Sequence, residues 1–136
     1  MPPRDDVTAW AMALVRRRMG ALAAVRAKAR RRWKAGRHVH ELRTNARRLR
    51  AAVEDLRTRV PGAQALIDAS KELGKRTGKV RDAHVLIDKL QHYRHFALPA
   101  ERSEIDVICR DLRKAGKAAQ KSAQAAVADA RLELRW

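Results

Sequence analysis

Between residues 39 and 60 apolar side chains recur in alternating steps of three and four: Val39, Leu42, Ala46, Leu49, Val53, Leu56 and Val60. A strand would scatter that row over both of its faces, whereas a helix gathers it into one stripe. A stripe this long needs apolar partners along its whole length. The spacing predicts a helix from about Asp5 to Lys34, the seam-bearing helix from about His38 to Val60, a third from about Ala63 to Phe96, and a fourth from about Ala100 to Leu134. The breaks between them are Ala35-Gly36-Arg37, the helix-ending pair Pro61-Gly62, and Ala97-Leu98-Pro99. Gly74 and Gly78 weaken the middle of the third helix.

The other helices carry matching rows. The fourth repeats the seam with Ile105, Ile108, Leu112, Ala115, Ala119, Ser122 and Ala126. The third does so from Val80 through Ala83, Ile87 and Leu90. The first is weaker: Val7, Ala11, Leu14, Ala21, Val25 and Ala29 fit, and Arg18 interrupts. Short connections make successive helices antiparallel. The expected fold is therefore all-α, an antiparallel up-down four-helix bundle with long helices, in a single domain over residues 1–136. Alanine and leucine dominate the apolar residues, which favours helix over sheet. Glu101 and Glu104 suit the positive end of the fourth helix. No apolar run approaches a membrane span, and Met1-Pro2-Pro3-Arg4-Asp5-Asp6 has no apolar signal core, so the expected location is cytoplasmic. The single cysteine, Cys109, has no internal disulfide partner and falls on an apolar stripe, as a small buried hydrophobe would.

Charge carries the functional signal. Lys and Arg number 32 against 15 Asp and Glu, a net charge of +17. A solvated helix face normally mixes the two signs. An excess this large repels itself and implies a polyanionic partner, which charge alone does not identify. On the seam-bearing helix His40, Arg43, Arg47 and Arg50 recur at the helical repeat. They fall within about 80° of arc beside the seam. Between His40 and Ala52 the one acid, Glu41, points elsewhere. Like charges at this spacing destabilise a free helix, and a bound polyanion is the simplest compensation. Arginine suits phosphate because its planar fork binds two oxygens and keeps its charge, and His40 adds a proton-dependent donor.

A second cluster, Lys71, Lys75, Arg76, Lys79, Arg81 and His84, lies on the third helix. Gly74-Lys75-Arg76-Thr77-Gly78-Lys79-Val80 is not a phosphate-binding P-loop: three residues rather than four separate the glycines, and Val80 follows the lysine. The run from Arg26 to Lys34 is basic on all sides and chemically non-specific. No catalytic constellation and no metal-ligand spacing is present, and no cofactor is implied. The pairs His38/His40 and His92/His95 lack carboxylate partners, so they read as surface histidines.

The string His40-Glu41-Leu42-Arg43-Thr44-Asn45-Ala46-Arg47-Arg48-Leu49-Arg50 resembles the leading motif of the CHAD (conserved histidine α-helical domain) family, a His, an Arg three later, then an Arg-Arg-Leu-Arg block. Gly78-Lys79-Val80-Arg81-Asp82-Ala83-His84-Val85-Leu86 is similar to its second motif. The resemblance implies an all-helical domain that binds inorganic polyphosphate through basic side chains, often at polyphosphate granules. Carried over position by position, it implies phosphate contacts at His40, Arg43, Arg47, Arg48, Arg50, Lys79 and Arg81. Lys75, Arg76 and His84 are further candidates, with His84 standing where the family usually has Asp and Thr44 where it usually has an apolar residue. By the helical wheel Arg48 points away from the other three arginines of its helix. The family's usual domain is about twice as long and resembles two bundles across a basic groove, so a homodimer of this chain would rebuild the pair. The alternative is a non-specific nucleic-acid-binding, nucleoid-type protein, which suits the charge but has few aromatics for stacking and no compact helix-turn-helix pattern. An enzyme would need acidic metal ligands converging on phosphate, and no such pattern is seen.

Overall fold

A computed structural model describes residues 4–129. Four helices follow one another: α1 Arg4–Arg31, α2 Ala35–Asp55, α3 Ala63–Arg94 and α4 Pro99–Ala128. The stretch expected to carry the fourth helix on to Leu134 lies outside the described residues. Among the described residues no helix is long and apolar enough to cross a membrane. Successive helices pack side by side and antiparallel, α1 on α2, α2 on α3 and α3 on α4, while α1 and α4 share a much smaller contact.

Two boundaries differ from the expected ones. The first break falls at residues 32–34, and Ala35-Gly36-Arg37 is already helical. The cause is His38, whose Nδ1 accepts the Lys34 N–H at 2.9 Å and whose ring lies 6.1 Å from that of Trp33. That bond satisfies an amide at the start of α2 and lets the helix begin before the glycine. At the other end α2 stops at Asp55, and residues 56–62 form a turn. Val60 still reaches the core from that turn. Gly62 closes it with φ of 70°, a left-handed conformation that costs glycine little. Gly74 and Gly78 do not interrupt α3.

The seam of α2 is buried as the spacing requires: Val39, Leu42, Ala46, Leu49 and Val53 are almost fully covered. Leu42, Ala46, Leu49 and Val53 meet Val15, Leu22 and Ala29 of α1, Leu66, Ile67 and Leu73 of α3, and Ala126 and Val127 at the end of α4, while Val39 packs with Val80 of α3 and Ala123 of α4. The phase of α1 departs from the expected row, with Val15 and Leu22 buried and Ala21 exposed. Arg26 occupies a core position on that helix. Its guanidinium donates to the carbonyls of Val127 at 2.9 Å and Asp129 at 3.1 Å, and Arg30 Nε donates to Val127 at 3.0 Å. Two members of the basic run therefore cap the carbonyl end of α4, where cations are favoured.

The phase of α4 is the larger correction. The residues it buries are Ile105, Cys109, Ala123, Ala126 and Val127, while Ile108, Ala115 and Ser122 of the expected seam face outward. An alanine-rich helix is apolar on more than one side, so its period alone does not fix which side packs.

The helices are also staggered. Gly36 at the start of α2 sits against His84, so most of the last third of α3 extends past α2. There, among the described residues, α3 pairs with α4 alone, around Ile87, Leu90, Ala97, Ile105 and Cys109. Arg94 clamps the pair by donating two bonds, of 2.9 and 3.1 Å, to the Asp106 carboxylate. The molecule is thus a body of packed helices from which an α3–α4 arm projects.

Candidate functional site

The buried seam sets the rotation of α2, and that rotation places the side chains beside the seam at the edge where α2 meets α3. His40, Arg43, Thr44, Ala46, Arg47 and Arg50 of α2 line a groove of about 410 Å³ there, with Ser70, Gly74 and Arg81 of α3 as the opposite wall. Four of its five basic side chains are the ladder read on α2, and the fifth comes from α3. No Asp or Glu is among the described residues that line it.

Arg43 is held in place. Its Nη1 donates to the Gly74 carbonyl and, at 3.5 Å, to Thr77 Oγ1. Thr77 in turn donates to the Leu73 carbonyl at 2.8 Å. Gly78 makes room for this guanidinium, since a Cβ there would come within 3.3 Å of Nη1. Gly78, which looked like a helix weakness, therefore allows an arginine to lie against α3. A guanidinium has five N–H donors, so Arg43 retains donors for an anion. Arg50 approaches Glu54 at 3.8 Å, an exposed pair of little strength. Among the described residues no carboxylate pairs with His40, Arg47 or Arg81. Burial is partial for Arg43, Arg50 and Arg81, and Arg47 and His40 are exposed. These side chains thus remain in contact with solvent.

The other candidates lie elsewhere. Arg48 is exposed and outside the groove, on the side the helical wheel assigns it. Lys75, Arg76 and Lys79 line a separate cleft of about 420 Å³ between α3 and α4, with Glu72, Ala115, Ala118, Ala119 and Ser122. Arg76 is engaged there, donating to Asp129 Oδ2 at 2.9 Å and to the Ser122 carbonyl at 3.5 Å. His84 lines a third cleft, of about 480 Å³, with Gly36, Asp88, Leu112, Arg113 and Gln120. Arg81 lines both this cleft and the groove, so the two openings adjoin. His38 is buried and serves as the acceptor at the start of α2, which removes it from the surface pair expected with His40.

Sequence reasoning passed over Thr44, Ser70 and Gly74 as groove residues. The signal was present: Ser70, Gly74, Thr77 and Arg81 follow the three-and-four spacing of one helix face, the face opposite the ladder. Polar and small residues in such a row carry no charge to draw attention.

A family model described as the CHAD domain matches residues 13–135, a stretch that contains both motifs and all four helices in whole or in large part. No curated protein and no solved structure matches the chain.

Proposed function

This chain belongs to the CHAD domain family, and we propose that it is a non-enzymatic protein that binds inorganic polyphosphate in the groove between α2 and α3. The observation that carries the reading is the convergence of His40, Arg43, Arg47, Arg50 and Arg81 on one groove whose described lining holds no acid. Arginine forks give charge-assisted, bidentate bonds to phosphate oxygens. A flexible polymer bound along such a groove releases the counterions that surrounded it, so affinity falls steeply with salt. The groove's described residues include no carboxylate to hold a metal ion or accept a proton, which favours binding over catalysis. Among its described residues it has no Phe, Tyr or Trp on which a base would stack, which favours a bare phosphate chain and leaves nucleic acid as a secondary polyanion. Association with polyphosphate granules in the cytoplasm, and a homodimer that presents the groove twice, complete the proposal.

The test is binding of long-chain polyphosphate at near-physiological salt, with duplex DNA and heparin as competitors. Polyphosphate should outlast a charge-matched excess of both. Replacing Arg43 and Arg47 together with Ala should abolish most of that binding while helix content by circular dichroism stays the same. Equal displacement by all three polyanions would reduce the protein to a generic basic bundle, and unchanged affinity in the double variant would remove the groove from the site.

A further inference from the structure

Arg81 belongs to two openings at once. It lines the α2–α3 groove and also the cleft of about 480 Å³ where α3 meets α4. In that cleft Arg81 and His84, one turn apart on α3, stand across from Arg113 and Gln120 of α4. Arg113 and Gln120 are seven residues apart and share one helix face, and Gly116 between them adds no side chain to it. Asp88 is the one acid in the described lining, and the rest of that lining is apolar or glycine.

The polar groups of this cleft lack partners within the described residues. His84, Arg113 and Gln120 make no side-chain hydrogen bond to any of them, and Nδ1 of His84 is buried without one. Arg113 acts on Asp106 through charge, since the hydrogen bonds to that carboxylate come from Arg94. Its N–H donors are therefore left for a ligand. Arginine has donors only, and the amide of Gln120 and a protonated ring nitrogen of His84 add more. A ligand rich in acceptor oxygens satisfies them together.

The cleft also lies on the line of the ladder. Arg50, Arg47, Arg43 and His40 run toward the start of α2, and Gly36, in the first turn of that helix, sits against His84. From Arg50 to Gly36 the row covers about 21 Å of helix. The positive end of α2 thus borders the cleft and adds to its cations. Asp88 lies one turn beyond His84. Past it, residues 89–111 hold four acids and four Lys or Arg, no net charge in a chain of +17, so the cation excess stops at the cleft.

We propose that the phosphate path does not end with the groove but passes over Arg81 into the α3–α4 cleft, where Arg113 and His84 hold the next phosphates and Gln120 donates to them. Asp88 marks its end. The extension rests on the groove reading and brings α4 into the site through Arg113, a residue outside both sequence motifs.

Titration with long-chain polyphosphate at fixed, near-physiological salt tests it. Arg113→Ala should weaken binding about fivefold or more, by loss of charge-assisted bonds. Lys114→Ala, the adjacent cation of α4 that does not line the cleft, should weaken it less than about twofold. Helix content by circular dichroism should be the same in both. Asp88→Asn should tighten binding, and Asp82→Asn, also outside the cleft lining, should not. An Arg113→Ala protein that binds as the wild type does, or that loses no more than Lys114→Ala, would overturn the extension. Equal effects of the two acid variants would overturn Asp88 as its end. The Arg43→Ala, Arg47→Ala double variant separates this extension from the groove itself. If it too binds as the wild type does, the groove fails and the extension with it. If it binds weakly while Arg113→Ala does not, the extension alone fails.

Discussion

The body and the arm are both built from amphipathic helices, and they differ in how deeply they bury their apolar faces and in the balance of their charges. In the body, α2 is covered by α1 on one side and α3 on the other, and its seam is almost wholly removed from water. That depth of burial supports the charge excess that repels itself on the surface. In the arm a single helix faces a single helix. Its interior is five side chains, some half covered, and its charges nearly balance. The contrast teaches that a cationic groove needs a deep core behind it: the ladder on α2 is tolerable because the seam beside it is almost fully buried. The arm has no such reserve, and it is held partly by the Arg94–Asp106 clamp.

The largest expected effect breaks the comparison at its root. Leu49→Ala in the body should destabilise the protein by about 3 kcal/mol, whereas Leu90→Ala in the arm should cost roughly 1 kcal/mol, because a half-covered side chain has less transfer energy and leaves a smaller cavity. Denaturant unfolding of both variants checks this, and equal losses would mean that the arm is as well packed as the body.

Next comes the division of the cations. Arg43→Ala should weaken polyphosphate binding about tenfold or more, by loss of charge-assisted bonds. Lys79→Ala, in the α3–α4 cleft, should change it by less than about threefold, an effect of general charge. Titration of each variant at fixed salt decides whether the groove or the whole basic surface binds.

The glycines of α3 give a smaller and more local effect. Gly74→Ala meets nothing within 4 Å and should stabilise by about 0.5–1 kcal/mol through helix propensity. Gly78→Ala should gain less, because the Arg43 guanidinium must move aside, and should lower polyphosphate affinity where Gly74→Ala does not. Thermal unfolding and binding measured on the pair would expose a role of Gly78 that stability alone hides.

The smallest effect is in the arm. The hydrogen bond from Arg94, aided by its charge and by those of Arg110 and Arg113, holds the Asp106 carboxyl below the usual carboxylate range. A carboxyl more acidic in the folded state contributes stability above its ordinary range, near pH 4, and loses it as pH falls through the lowered value. Asp106→Asn should therefore be slightly less stable at neutral pH and should converge on the wild type in acid. Both side chains are well exposed, so the difference should shrink further with added salt.

The sequence by itself determined the helices, their order and the face that α2 buries. Branched and long apolar side chains at strict three-and-four spacing leave that helix one stable rotation, and His40, Arg43, Arg47 and Arg50 follow from it as a ladder beside the seam. Tertiary structure decided what lies opposite. Arg81 joins the ladder and Lys79, two residues earlier, does not, because α3 is gripped between α2 and α4 and its residues divide between two clefts. Arg26 is a core residue because the end of α4 offers it unsatisfied carbonyls, which a count of charges along α1 does not reveal. The phase of α4 was also beyond the sequence. Alanine, serine and cysteine are small enough to pack on either side, so the side that α3 covers was fixed by the position of α3, and the row containing Ile108 was left facing outward.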